Sequence, residues 1–170
     1  MSDGKEKIYC FDTSVFAALN KIHNYIPIPD FWELLEQLFK EGKVISHEFV
    51  FEELKPGDFI GNWIQSKRNY FIGITDQQIK NVEIILKQFP DLIDPQKEKN
   101  QADPWLIALA MEKKEETLFE KNKLIYVISQ EKISSSKKIP AACKAFKIEH
   151  FNLEAFLKDN GMHFGIIKQK

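Results

Sequence analysis

The chain has little of what builds the commonest cofactor and metal sites. It carries 7 glycines and no Gly-rich run, so the backbone loops that cradle nucleotide phosphates have no candidate. Its 2 cysteines, Cys10 and Cys143, sit in apolar surroundings without a Cys-x-x-Cys spacing. They read as buried free thiols, and a zinc site is not expected. The 4 histidines, His23, His47, His150 and His163, are scattered and none is assigned a role. Arg68 is the only arginine, which leaves phosphate contacts to lysine, a point charge rather than a bidentate fork. The apolar stretches are too short to span a bilayer, and Met1–Lys7 is polar with no apolar signal region. A soluble cytoplasmic protein is the expectation. A net charge of -1 argues against coating nucleic acid through bulk electrostatics. A brief encounter with RNA in an acidic cleft stays compatible with it.

What is present is core. The 170 residues are 44% hydrophobic, with 14 Phe and 3 Trp, ample for one sizeable domain. We find no repeat and no low-complexity tract, so residues 1–170 read as a single domain. Lys7–Phe11 reads as a buried first strand, followed by a helix from Thr13 to about Ile22. Pro27 and Pro29 mark a break. Asp30–Glu41 has apolar residues at helical spacing and Gly42 as its stop. Val44–Ser46 is a short strand, and His47–Leu54 a helix. The stretch at about 57–95 reads as a helical insert, with helices over Asp58–Arg68 and Thr75–Phe89. Pro95–Gln101 is a polar loop. Pro104–Lys113 is an almost wholly apolar helix, Leu124–Ser129 a third strand, and Ser134–Lys138 a loop. Ile139–Phe146 is a helix, Lys147–His150 a fourth strand and Leu153–Asn160 a last helix. Alternating strands and helices predict a three-layer α/β/α fold with a mostly parallel central sheet.

Sites in such sheets form beyond the carboxyl ends of the strands, and acids fall there. Asp12 directly follows the first strand; alone, it is better explained as the cap of the next helix. Asp103-Pro104 has the same ambiguity, as a cap and first-turn pair. Yet the helix behind it is apolar nearly all round and must be buried, so an acid at its mouth needs a cap, a cation or a metal. Glu53 lies at the edge of the apolar face formed by His47, Val50, Phe51 and Leu54, while Glu52 points to solvent. Glu131 lies just past the third strand, where a plain loop acid is as good a reading as a functional one. Gathered together, these carboxylates would need a counter-charge. Oxygen-only ligands select hard cations, so Mg²⁺ or Mn²⁺ is expected.

In these residues the chain resembles the PIN domain family. Tyr9-Cys10-Phe11-Asp12-Thr13-Ser14-Val15-Phe16 is similar to the family's opening: strand, Asp, small hydroxyl residue, apolar helix. Glu53-Leu54 resembles its second acidic position. Ala102-Asp103-Pro104-Trp105-Leu106-Ile107-Ala108-Leu109-Ala110 resembles its third, the most specific match. Ser129-Gln130-Glu131 resembles the fourth, where the family more often carries Asp than Glu. The resemblance implies a metal-dependent endoribonuclease acting on RNA. It implies Asp12, Glu53 and Asp103 as catalytic metal ligands, Glu131 as a supporting one, and Ser14 as an orienting group. Many small bacterial members are VapC-like toxins of toxin–antitoxin pairs, so an antitoxin partner and a homodimer are also implied.

Two rival readings compete with this one. An aspartyl-phosphate phosphatase also places Asp after its first strand but normally needs a second Asp two residues on, where this chain has Ser14. The serious alternative is a catalytically silent PIN-like module that binds RNA or protein. The mixed basic and aromatic stretch of Trp63, Lys67, Arg68, Asn69, Tyr70 and Phe71 would suit stacking on RNA. Core packing for Trp63, with a solvated helix end for Lys67 and Arg68, explains that stretch better.

Overall fold

The computed structural model describes residues 4–23, 29–120, 122–132, 135 and 137–162. The expected break at Pro27 and part of the expected 134–138 loop lie outside them. The chain runs β1 (Glu6–Phe11), α1 (Thr13–Ile22), α2 (Pro29–Lys40), β2 (Val44–His47), α3 (Glu48–Glu53), α4 (Phe59–Gln65), β3 (Phe71–Ile72), α5 (Asp76–Gln88), α6 (Ala102–Glu116), β4 (Lys123–Ile128), α7 (Ile139–Ala145), β5 (Glu149–Phe151) and α8 (Leu153–Asp159). Five strands form one sheet in the order β3-β2-β1-β4-β5. All neighbouring pairs are parallel. No helix among the described residues is long and apolar enough to cross a membrane.

The sheet is covered on both faces, and strand alternation assigns the two sides. Tyr9, Phe11, Val44, Phe71, Tyr126 and Ile128 join one buried cluster with residues of α1, α2, α3, α4 and α8. Cys10, Ile45, Ile125 and Val127 join the other, with residues of α5, α6 and α7. Both faces of β1 and β4 are therefore apolar, which explains why these strands read as unbroken hydrophobic runs. The three-layer α/β/α expectation agrees with this architecture. Both cysteines are buried and unpaired.

α6 packs against the sheet and against both α5 and α7. Leu106, Ile107, Ala108, Leu109 and Ala110 are buried in succession, a pattern that only an enclosed helix tolerates. α2 ends as its sequence predicts: Gly42 has φ 68, with Lys43 N–H donating to Leu38 O at 2.9 Å and Gly42 N–H to Phe39 O at 3.1 Å. That bond pair is a Schellman cap. α7 ends with the same pair, Ile148 N–H to Cys143 O at 2.8 Å and Lys147 N–H to Lys144 O at 3.2 Å. There the left-handed position is held by Lys147, with φ 55.

Two expectations need correction. The 57–95 stretch is not helical throughout, because Phe71–Ile72 forms β3 and pairs with Ser46 and His47 at the sheet edge. A two-residue strand is too short to show alternation. Its Phe71 ring, part of the basic and aromatic run, packs in the core rather than facing solvent. The fourth expected strand, Lys147–His150, instead spans Glu149–Phe151, because Lys147 belongs to the helix cap.

Candidate functional site

β1 and β4 pair along their whole length, ending at Phe11 opposite Ile128. From β1 the chain moves to one edge through β2 and β3, then returns to lay β4 and β5 on the other side. The junction of β1 and β4 is thus the topological switch point, and the crevice beyond its carboxyl end is where open parallel sheets bind ligands. Asp12 follows Phe11 directly, and Ser129-Gln130-Glu131 follows Ile128 directly.

Asp12 is 3% exposed. It caps α1, as expected: Oδ2 accepts the Ser14 N–H at 3.1 Å and the Ser14 hydroxyl. The same hydroxyl accepts the Gln130 N–H at 2.9 Å, which ties the cap to the end of β4. Capping leaves the other oxygen over. Oδ1 is buried and has no hydrogen-bond partner among the described residues, an arrangement that costs free energy unless a proton or a cation meets it. Burial pushes the Asp12 carboxyl up to about 6, against the lowering effect of the Ser14 bonds, and the Glu131 charge adds to the rise.

Asp103 is not the expected helix cap. α6 starts at Ala102 with Gln101 in the cap position, so Asp103 and Pro104 lie inside the first turn. Burial pushes the Asp103 carboxyl up to about 7; the charges of Asp12, Glu131 and Glu53 raise it further, and the Lys138 ammonium opposes them. Asp12, Glu53 and Glu131 therefore all lie within electrostatic reach of Asp103.

Glu53 and Glu131 face backbone. Glu53 is exposed at the end of α3. One of its oxygens accepts the Thr13 hydroxyl and the other the Ala102 N–H at 3.2 Å, so Glu53 supplies the cap that Asp103 does not. Glu52 is also exposed and makes no such bonds. Glu131 Oε2 accepts the Ile139 N–H at 2.8 Å, at the start of α7, and Oε1 lies 4.0 Å from Lys138 Nζ. Negative charge is favourable at both helix starts. With two of the four acids turned to N–H groups, no group of three or more His, Cys, Asp or Glu among the described residues stands ready to hold a metal ion. The donor chemistry suits a hard cation nonetheless: every candidate is a carboxylate, and Asp12 Oδ1 is uncommitted.

An open groove of about 890 Å³ is lined by Glu53 and Asp103, by further acids that include Glu52 and Glu98, and by Lys55, Lys97, Lys99 and Lys138. Sequence reasoning missed Lys138, although a lysine directly before a helix that starts Ile-Pro, seven residues after Glu131, was a usable signal. It also missed Thr13 and Gln130 as fixing groups. Gln130 bonds through its side chain as well, accepting the Leu153 N–H at 2.9 Å to hold the start of α8.

His47, given no role from sequence, is completely buried. Its Nδ1 accepts the Phe49 N–H at 3.1 Å and so caps α3. Nε2 lies 3.1 Å from Gln78 Oε1, which makes it the protonated nitrogen of a neutral ring. Gln78 donates in turn to Glu112 at 2.7 Å. Burial keeps the imidazole below its ordinary range. This network fixes where α3 begins, and hence where its last residue, Glu53, is presented. His150 likewise meets a fixed partner, with Nε2 2.8 Å from Ser129 Oγ.

Comparison with known proteins gives a family without an activity. No curated protein matches the chain, and no solved structure does. One family model matches residues 9–164, a span that contains Asp12, Glu53, Asp103 and Glu131. The chain therefore belongs to the family described as a domain of unknown function (DUF4411).

Proposed function

We propose that the protein is a metal-dependent endoribonuclease of the PIN type, working at the β1–β4 switch point. One observation carries the reading: the buried Asp12 Oδ1 has no partner among the described residues, in a crevice where Asp103 is held up to about 7 by burial and by Asp12, Glu131 and Glu53. A carboxylate set with a like-charge penalty and one free oxygen is chemistry for a hard divalent cation. Asp12 and Asp103 would hold Mg²⁺ or Mn²⁺, with Glu53 and Glu131 completing the set from the helix starts they now cap. When bound, such an ion neutralises charge on a phosphoryl oxygen and activates water. The chain's own residues do the rest. Ser14 fixes the Asp12 rotamer through one carboxylate oxygen, and Thr13 and the Ala102 N–H orient Glu53. The Lys138 ammonium, near both Glu131 and Asp103, lies where it can pair with a substrate phosphate.

A second reading also has an observation in its favour. Glu53 and Glu131 are both engaged as helix caps, which suits a silent module that binds RNA or a protein without cutting. Cleavage of an end-labelled single-stranded RNA by purified protein, with Mn²⁺ and with EDTA, separates the two. Mn²⁺-dependent products that vanish in the Asp12→Asn variant support the enzyme; intact RNA at high enzyme with Mn²⁺ sinks it. The toxin role, with an antitoxin covering the groove, rests on the PIN resemblance alone. Its test is growth arrest on expression without a partner, and normal growth with active soluble protein counts against it.

A further inference from the structure

His47 stands where β2 passes into α3. The Phe49 and Trp105 rings lie against its buried imidazole, with centroids 5.0 and 5.6 Å away. Both ring nitrogens belong to a hydrogen-bonded chain whose ends have no choice of role. At one end the Phe49 N–H, 3.1 Å from Nδ1, can only donate. At the other the Glu112 carboxylate can only accept, from the Gln78 amide at 2.7 Å and the Thr75 hydroxyl at 2.5 Å. The Gln78 oxygen is therefore turned to His47, 3.1 Å from Nε2. Only a neutral ring with its proton on Nε2 satisfies every member.

The chain ties three helices together. His47 caps α3, and Thr75 caps α5 by accepting the Gln78 N–H at 3.1 Å. Glu112 belongs to α6, the helix that carries Asp103. Of the three, α3 depends most on its anchors, because six residues cannot sustain a helix alone. Those anchors are Phe49 and Val50 in the core, the Glu48 carboxylate on the Ile74 N–H at 3.2 Å, and the His47 cap. Glu53 ends the same helix, roughly 9 Å along its axis at 1.5 Å per residue. A one-residue slip of the helix would turn its side chain by about 100°.

We propose that His47 and Gln78 are positioning residues for Glu53, and that acid withdraws Glu53 because a proton on His47 Nδ1 faces the Phe49 N–H with a second donor and opens the α3 cap. The charged groups acting on the ring are Glu48 from α3 and Glu112 from α6, and both favour its protonation; burial opposes and outweighs them. α5 presents the neutral Gln78 amide, and β3, paired with His47 through Ile72, holds no titratable residue. The switch therefore lies on the acid side of the ordinary histidine midpoint of about 6.5. The use of Glu53 in cleavage rests on the nuclease reading; the coupling of His47 to α3 does not.

The test is NMR of the isotope-labelled full chain in EDTA, following ring nitrogens and backbone amides from pH 8 to pH 4. The His47 ring should carry its proton on Nε2 at pH 7.5, and the Phe49 and Glu53 amides should move with its protonation midpoint. His47→Asn keeps an oxygen for the Phe49 N–H and cannot titrate. Its Phe49 and Glu53 amides should lose that step and keep only what Asp12 and Asp103 contribute. Gln78→Met removes the Nε2–H acceptor at similar volume and should let the Nδ1–H form appear. Three outcomes overturn the proposal: an Nδ1–H ring in the parent at pH 7.5, a ring that stays neutral until the whole chain unfolds, or a Glu53 amide indifferent to His47 protonation. In Mn²⁺ cleavage at pH 7.5, His47→Ala should lose about 100-fold, the scale of a misplaced catalytic group, and His47→Asn should recover most of it. Equal losses in the two variants count against positioning; if His47→Ala does not fold, the NMR arm and Gln78→Met carry the decision. Coupled His47 and Glu53 signals without cleavage leave the switch standing and remove the nuclease; cleavage with uncoupled signals does the reverse.

Discussion

Glu53 accepts the N–H of Ala102 at 3.2 Å, so the last residue of α3 caps the helix that carries Asp103, 49 residues further along the chain. An acid expected to act only on a metal also holds a helix start. Its neighbour Glu52 has no such partner, although both are exposed. Substitution should separate the two. Glu53→Gln should lower Mn²⁺-dependent cleavage by about 100-fold or more with a small change in melting. Glu53→Ala should also cost roughly 0.5–1 kcal/mol of stability through the lost cap. Glu52→Gln should leave cleavage and melting as in the parent. Cleavage assays and urea melts of the three variants check this; loss of cleavage in Glu52→Gln would refute the placement of Glu53.

The raised carboxyl groups give the metal-free protein a pH signature. In the unfolded chain Asp titrates near 3.9, while in the fold Asp12 is pushed up to about 6 and Asp103 to about 7. Between those limits these two groups hold more protons in the native state than in the unfolded chain, so their contribution to stability falls as pH rises from about 4 to 7. Asp12→Asn abolishes its share, and Asn still accepts the Ser14 N–H. In EDTA the variant should therefore gain on the parent as pH rises, by on the order of 1–2 kcal/mol at pH 8, after an allowance for the buried amide. Melts at pH 4.5 and pH 8 read the difference. A gap that is constant with pH would mean that Asp12 titrates normally.

Mg²⁺ should reverse that penalty. At about tenfold above Kd, binding to the native state alone contributes ~1.4 kcal/mol, or roughly 3–5 °C in melting temperature for a chain of this size. Asp12→Asn and Asp103→Asn should each lose the shift without melting below the metal-free parent. If parent and variants shift equally, the ion binds elsewhere.

Lys147 offers a check on the fold that is independent of function. It holds the left-handed position of the α7 cap with φ 55, where glycine has no Cβ to strain. Lys147→Gly should stabilise by about 1 kcal/mol. The bond from Lys114 Nζ goes to the Lys147 carbonyl and survives the change. A variant that melts lower than the parent would show that this cap geometry is not populated.

The legible parts of the sequence were those in which one short segment decides the outcome. The runs in β1 and β4 are apolar on both faces because both faces are covered, and α6 reads as buried for the same reason. Asp12 was legible because it follows a strand and precedes a hydroxyl pair. What escaped depends on partners far apart in sequence. Asp103-Pro104 has the local pattern of a helix start, but Glu53 caps one residue earlier and moves the boundary to Ala102. β3 exists because Ser46 and His47 pair with Phe71 and Ile72 across an edge, and two residues carry no period.

The capping bonds of the two glutamates bear on how the proposed site could decay. Glu53 and Glu131 each hold the first turn of a helix, so selection for folding alone is enough to retain them after any chemistry has ceased. A descendant with both glutamates intact is thereby certified as folded and nothing more. Asp12 differs, because its cap uses Oδ2 only and asparagine serves that purpose as well. Loss of function would cost the fold nothing at this position. An Asn or Ser at position 12 would be the earliest trace of a lineage that kept the scaffold and dropped the reaction.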